Sequence, residues 1–225
     1  YNQAQSFIES LQETTRKNNN NLLTGIPIYE KNTDNYYNGV VFLGKDVSFY
    51  YKKHLVPFGE YLPLKILLNK FVEFFKIPMA DFSTGPDVPP ILDAGRYKIG
   101  ISICYEDAFG NEVIQALPEA GLLVNISNDA WFGDSTAPHQ HLQMARMRAM
   151  ETGRYLLRAT NTGVTAIIDE KGRIISRIPQ FIPASLTGNV KIYNGSTYYS
   201  SFGNYPIILF CFFVLLIIIY KKENI

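Results

Sequence analysis

Tyr97-Lys98-Ile99-Gly100-Ile101-Ser102-Ile103-Cys104 is a mainly apolar stretch that is followed at once by Tyr105-Glu106-Asp107. A short apolar stretch that ends in polar residues predicts a buried strand. This strand ends in a thiol beside two carboxylates, which is the arrangement of a nucleophile at a sharp turn after a strand. Cys104 is therefore the first candidate for chemistry.

The rest of the chain alternates between the periods of strands and helices. Strands are predicted at 22–29, 36–43, 47–53, 122–127, 155–160, 164–169 and 172–177, and helices at 2–16, 110–117 and 137–152. The turn Gly44-Lys45-Asp46 predicts a hairpin between the second and third of these strands. Interleaved strands and helices indicate an α/β protein with a layered core.

Composition excludes some classes of function. The chain has 225 residues, of which 47% are hydrophobic, and its formal net charge is only +1. A nearly neutral chain gives no overall reason to expect a nucleic-acid partner. The 15 tyrosines and 15 phenylalanines suit a large core or a surface that faces lipid. The two cysteines, Cys104 and Cys211, lie in different settings and predict no disulfide framework.

The C-terminal part contains an uncharged apolar run from Tyr205 to Tyr220. As a helix it covers roughly 24 Å at about 1.5 Å per residue, and the preceding residues 202–204 bring it to the length that a bilayer requires. Tyrosines bracket the run, and Lys221-Lys222 follow it, so the positive-inside tendency puts the C-terminus in the cytoplasm. The alternative is a buried core helix.

These segments give a predicted domain organisation. Residues 1–195 form a catalytic domain, 196–204 a linker, 205–220 a transmembrane helix and 221–225 a cytoplasmic tail. The chain begins at Tyr1 and shows no signal peptide, and we interpret it as the C-terminal part of a longer protein.

The segment 64–76 is amphipathic, with large apolar residues on one helical face and lysines on the other. Such a helix suits a membrane interface. It begins four residues after Glu60, so it is predicted to cover the site as a lid that faces the membrane. A helix that packs on the core of the domain is the open alternative.

Lys52 and Glu60 lie about fifty residues before Cys104 and supply the groups that a cysteine nucleophile needs. A lysine ammonium stabilises a thiolate and the oxyanion of a tetrahedral intermediate, while a carboxylate moves protons. The three side chains are chemically sufficient for acyl transfer through a thioester. Lys53 is the alternative to Lys52, and because neighbours in a strand point to opposite faces, only one of them can enter the site.

Four further residues carry weaker signals. His139 and His141 have no third ligand at metal spacing, so the sequence predicts no metal, and it predicts no other cofactor. Trp131 and Phe132 follow a strand end, where ligands gather in α/β sheets. They either wall an acyl channel or pack in the core.

The chain also has a group of arginines in and just after the predicted helix at 137–152. They are interpreted as contacts to phospholipid head groups, with internal salt bridges favoured for the first two: Arg146, Arg148, Arg154 and Arg158.

Five stretches together resemble the nitrilase superfamily of carbon–nitrogen hydrolases, and within it the apolipoprotein N-acyltransferases. They are 52–61 (KKHLVPFGEY), 103–106 (ICYE), 127–133 (SNDAWFG), 141–149 (HLQMARMRA) and 158–163 (RATNTG), and 178–181 (IPQF) extends the match. The first and third stretches are specific to the acyltransferase branch.

The resemblance implies an αββα sandwich followed by a membrane helix. It implies that Cys104 is the nucleophile, Lys52 the lysine of the triad and Glu60 a glutamate that positions groups around it. Tyr105 and Glu106 would flank the nucleophile and support the site. The implied protein lies in the bacterial inner membrane, with its catalytic domain in the periplasm.

The reaction implied by the resemblance moves a fatty acyl chain from a phospholipid to the terminal amine of the diacylglyceryl-cysteine of an apolipoprotein. The general-base glutamate of this family belongs to an upstream Pro-Glu motif that the present sequence lacks, so we expect the chain by itself to be inactive. Two rivals remain: an amidase that cleaves a small amide, and a membrane-anchored relic without turnover.

Overall fold

The computed structural model describes residues 5–63 and 81–223. The helices are α1 (Gln5–Lys17), α2 (Gly110–Val113), α3 (Ala137–Thr152), α4 (Tyr198–Phe202) and α5 (Tyr205–Glu223). The strands are β1 (Leu22–Glu30), β2 (Asn35–Leu43), β3 (Val47–Tyr51), β4 (Ile91–Asp93), β5 (Lys98–Ile103), β6 (Ala120–Ser127), β7 (Leu156–Thr160), β8 (Thr165–Ile168) and β9 (Ile174–Ile178). The predicted lid at 64–76 lies outside the described residues.

The strands form two sheets. The smaller sheet has the order β1-β2-β3 and is antiparallel, and its β2–β3 hairpin confirms the predicted turn. The larger sheet has the order β4-β5-β6-β7-β8-β9. Its central strands β5, β6 and β7 are parallel, and the others are antiparallel. Parallel neighbours require crossover connections, which here contain α2 and α3.

The two sheets pack face to face through the alternate residues of their strands. Val40 and Phe42 of β2 belong to one buried cluster with Ile101 and Ile103 of β5 and Val124 of β6. Because side chains alternate between the faces of a strand, the intervening residues point to the outer faces of the sandwich.

Helices cover both outer faces. Ile8 of α1 packs with Val41 and Leu43 on the small sheet. Leu142 and Ala145 of α3 belong to a second buried cluster against the large sheet. The layers therefore run helix, sheet, sheet, helix, as the α/β prediction requires.

Some elements differ from the predictions. The helix predicted at 110–117 is α2 followed by a tighter turn at Ile114–Ala116. The three-residue strand β4 was not predicted, because so short a segment shows no periodicity. The segment predicted as a linker contains α4, whose first turn is capped where the Thr197 hydroxyl accepts from the Ser200 N–H at 3.0 Å.

Helix α5 stands apart from the core. With 19 residues it is about 28 Å long. Within 5–63 and 81–223, Tyr205–Lys222 is the one helical segment long and apolar enough to cross a membrane, and none of it is buried inside the protein. The alternative of a buried core helix is therefore wrong.

We expect Leu142→Ala to lower the free energy of unfolding by about 2–5 kcal/mol, because it leaves a cavity between α3 and the large sheet. The Leu142 side chain is 2% exposed, whereas that of Met144 on the same helix is 41% exposed. Met144→Ala is the matched control and should change the free energy by about 0.5 kcal/mol or less. Equilibrium denaturation measures both, and equal losses would contradict the packing of α3.

Candidate active site

Cys104 lies at the turn where β5 ends. Its φ angle is +50°, in the left-handed region, and it begins a tight helical turn at Cys104–Ala108. A residue other than glycine keeps this conformation only where its surroundings fix it, and such strain clusters at functional sites. The sharp turn after the strand is the geometry that the sequence predicts for a nucleophile.

Lys52 and Glu60 form a largely buried ion pair where the chain leaves β3. The Lys52 Nζ lies 2.9 Å and 2.7 Å from the two carboxylate oxygens of Glu60, and the lysine is 1% exposed. Asn38 Nδ2 and the Val56 N–H also donate to this carboxylate, at 2.6 Å and 2.7 Å. Four donor contacts thus hold Glu60 against the lysine.

Lys53 points elsewhere. Its Nζ lies 3.2 Å from an Asp87 oxygen and donates to Gln115 Oε1 at 3.0 Å. The alternation of side chains along the chain after β3 therefore separates the two lysines, and the geometry favours Lys52 over Lys53 as the site lysine.

A cavity of about 820 Å³ contains the site, and Cys104, Lys52 and Glu60 line it. Trp131 and Phe132 also line it, with 78% and 44% of their surface exposed. The alternative that these two aromatic residues pack in the core is therefore wrong. They form an apolar wall that is open to the surroundings.

Glu106 ties the turn that begins at Cys104 to the small sheet. One carboxylate oxygen accepts from the Tyr50 hydroxyl at 3.0 Å and from the N–H groups of Lys53 and His54 at 2.7 Å and 3.2 Å. The other accepts from the Ile103 N–H at 2.8 Å. Burial raises the pKa of Glu106, and these hydrogen bonds oppose the rise. Its role here is a clamp between strand ends.

Tyr105 is turned to the other side of the same segment. Its ring packs edge-on against Phe109, with centroids 5.0 Å apart, and against His54 at 5.7 Å. These contacts hold the ring of Tyr105 beside the turn that begins at Cys104.

A buried network of charges lies beneath Cys104, between the large sheet and α3. His141 Nε2 lies 3.0 Å from the Cys104 carbonyl oxygen and 2.8 Å from Asp107 Oδ1, and Nδ1 lies 3.1 Å from Asp129 Oδ1. Arg158 reaches the other oxygens of the same two aspartates, at 3.3 Å and 2.9 Å. These residues are all at least 90% buried except Cys104.

The network shifts the pKa values of its members. Burial by itself would lower the pKa of His141, but its hydrogen bonds to Asp107 and Asp129 outweigh this and raise the pKa to about 10. Burial would raise the pKa of Asp129, but the hydrogen bond to His141 and the charge of Arg158 lower it to about 2. At neutral pH the histidine is a cation and Asp129 an anion.

The sequence predicted little of this network. Two of the arginines interpreted as head-group contacts, Arg154 and Arg158, are 2% and 1% exposed, so that interpretation is wrong for them. The predicted salt bridge is confirmed for Arg148, which pairs with Glu151 at 2.9 Å. The sequence feature that could have indicated the network was His141, a titratable residue next to the apolar Leu142 on the buried side of α3.

One set of donor atoms has the spacing of a metal site. Cys104, Asp129 and His141 each place a ligand atom within 4.8 Å of the others. However, both ring nitrogens of His141 are engaged by aspartates, and Asp129 is paired with Arg158. A metal would need a neutral imidazole with a free nitrogen, so the residues fit an ion-pair network better than a metal.

The family model of carbon–nitrogen hydrolases matches residues 2–192 of this chain. The chain belongs to the carbon–nitrogen hydrolase family. The family resemblance read from the sequence motifs is therefore confirmed.

Curated relatives within this family are apolipoprotein N-acyltransferases. That of Methylococcus capsulatus is 50% identical over 92% of this chain, and that of Nitrosomonas europaea is 47% identical over 91%. The chain spans 41% of the length of each of these two relatives.

Solved structures share the fold. An amidase from Nesterenkonia superposes with a TM-score of 0.60 at 19% identity, covering 89% of this chain and 70% of the amidase. Nit3 of Saccharomyces cerevisiae, a member of the nitrilase superfamily, superposes with a TM-score of 0.58 at 20% identity, covering 77% of this chain and 60% of Nit3. These similarities support the nitrilase-like α/β fold.

We expect Lys52→Met to slow alkylation of Cys104 by iodoacetamide about tenfold or more at pH 7.5, because the thiolate loses a cation and Glu60 loses its partner. Lys53→Met is the matched control and should leave the rate nearly unchanged. Peptide mass spectrometry of the labelled full-length protein measures the rate at Cys104. If Lys53→Met slowed the alkylation of Cys104 more than Lys52→Met did, the site lysine would be Lys53.

We expect Glu106→Gln to lower the free energy of unfolding by about 1–3 kcal/mol. Glutamine replaces one accepting carboxylate oxygen with an NH2 group, which cannot accept the hydrogen bond that this oxygen received. Glu119→Gln is the control, since Glu119 is in a surface pair with Lys98 and should have little effect. Equilibrium denaturation of the full-length protein compares the two, and an unchanged Glu106→Gln variant would contradict the clamp.

Proposed function

We propose that the full-length protein transfers a fatty acyl chain from a phospholipid to the terminal amine of the diacylglyceryl-cysteine of apolipoproteins, and so completes lipoprotein maturation. The observation that carries the proposal is that Cys104, at a strained turn, lines the same cavity as the Lys52–Glu60 pair and an exposed aromatic wall. The similarity to apolipoprotein N-acyltransferases at 42–50% identity supports the same reaction class.

The first step forms an acyl thioester. The Cys104 thiolate attacks the ester carbonyl of the phospholipid, a carbon–sulfur bond forms, and the carbon–oxygen bond to glycerol breaks. The leaving oxygen takes up a proton, and a lysophospholipid departs. We assign to the Lys52 ammonium, which lines the same cavity as Cys104, the stabilisation of negative charge on the thiolate and on the tetrahedral intermediate.

The second step forms the amide. The terminal amine of the apolipoprotein attacks the thioester, a carbon–nitrogen bond forms, and the carbon–sulfur bond breaks to restore the thiolate. The amine gives up a proton to a base. An apolar surrounding lowers the chance that water attacks the thioester instead, which is a role we assign to the wall of Trp131 and Phe132.

The proton transfers need a base. In the described part of the site, Glu60 is held by four donor contacts and Glu106 by another four. Asp129 is a poor base, because its pKa is lowered to about 2. We propose that the general base lies outside the described part of the site.

Helix α5 is proposed to anchor the domain in the bacterial inner membrane. Its exposed apolar surface and terminal lysines support a span with the C-terminus in the cytoplasm and the catalytic domain in the periplasm. This orientation would let the open side of the cavity take both substrates from the outer leaflet.

The test is intact-protein mass spectrometry of the full-length protein after incubation with phospholipid micelles. We expect an added fatty-acyl mass that hydroxylamine removes, because a thioester is cleaved by this nucleophile. Cys104→Ser should lose the thioester adduct, and Cys211→Ser should keep it. Cys211 is the matched control because it is the other cysteine of the chain and lies in α5.

The outcomes separate the rival functions. An adduct that an added diacylglyceryl-peptide consumes would support the proposed acceptor. Ammonia release from small amides without any adduct from phospholipid would favour an amidase. No adduct and no amide cleavage by the folded protein would favour a relic without turnover. Either of these last two results would contradict the proposal.

A further inference from the structure

His141 is surrounded by acceptors on both sides of its ring. Nε2 faces Asp107 Oδ1 and the carbonyl oxygen of Cys104, and Nδ1 faces Asp129 Oδ1. Carboxylates and carbonyls only accept hydrogen bonds, so each ring nitrogen must carry a proton to make a favourable contact. With both aspartates ionised, the geometry therefore favours the imidazolium form in a place that is almost closed to water.

The charges that face His141 come from three elements. Asp107 lies in the turn after β5, Asp129 in the loop after β6, and Arg158 on β7. Two anions and two cations balance, and a ring nitrogen of His141 lies within 4.8 Å of the Cys104 Sγ. Removal of the histidine charge would leave one uncompensated negative charge directly beneath the thiol.

The same ring also fixes the backbone of the nucleophile. The Cys104 carbonyl accepts from His141 Nε2 at 3.0 Å and from Asn125 Nδ2 at 3.3 Å. Asn125 in turn accepts from Arg158 at 2.5 Å, so the two donors belong to one connected network. A carbonyl held from two directions keeps the residue in its left-handed conformation.

We propose that His141 is a positioning residue that acts through Cys104, anchoring its carbonyl and holding a permanent positive charge beneath its thiol. This proposal takes Cys104 as the nucleophile of the proposed function. The raised pKa of His141 keeps this side chain charged throughout the neutral range. Lys52 thus supports the thiolate from the small sheet, and His141 supports it from α3.

The test is the pH profile of iodoacetamide alkylation at Cys104 in the full-length protein, read by peptide mass spectrometry. No acyl donor is present, so the result does not depend on whether acyl transfer occurs. We expect His141→Gln to move the midpoint of the profile up by about one pH unit, with about a tenfold slower reaction at neutral pH. His139→Gln, at an exposed position on the same helix, should leave the profile unchanged.

A purely structural histidine would lower the melting temperature without moving this midpoint, so a folded His141→Gln protein with an unchanged profile overturns the proposal. If this variant does not fold, nitrogen-15 NMR of the histidine-labelled parent decides. We expect one buried histidine with both ring N–H signals protected from exchange at pH 8. The absence of such a doubly protonated ring at pH 8 overturns the proposal.

Discussion

The carboxylate of Glu106 is the contact on which the geometry of the site depends. It lies one turn after the end of β5 and accepts hydrogen bonds from the backbone where the chain leaves β3 and from the last residue of β5. The two sheets otherwise meet through apolar side chains, which fix their distance but not their register. Glu106 supplies the directional contact that holds the strand end near Lys52 against the strand end near Cys104.

Cys104 consequently lies between two polar clusters that belong to different layers. The Lys52–Glu60 pair lies where the chain leaves β3 of the small sheet, and the His141 network joins α3 to the strand ends of the large sheet. Lys52 and the His141 network are almost completely buried, and each cluster is internally balanced in charge, which limits the cost of burial. The strained turn is therefore held from both sides by groups whose positions are already fixed in the folded protein.

The open side of the site has the opposite character. Trp131 and Phe132 present apolar surface at the cavity, although exposed aromatic residues of this size usually find a partner. In the proposed reaction the partner is the acyl chain or the lipid around it. Buried charge below the thiol and apolar surface above it suit a reaction that needs a stabilised thiolate and little water.

The sequence by itself determined the α/β class, the hairpin, most strands, the nucleophile candidate and the lysine pair, because these depend on local periodicity and on short motifs. Only the tertiary structure showed that Lys52 pairs with Glu60 while Lys53 turns to Asp87 and Gln115. It also removed Trp131 from the core and joined Asp107, Asp129, His141 and Arg158 into one network. Those four residues come from four separate segments, and local sequence patterns do not predict which charged residues from distant segments form ion pairs. The physical reason is that a buried charge is stable only beside its partner, and that partner is chosen by the packing of layers.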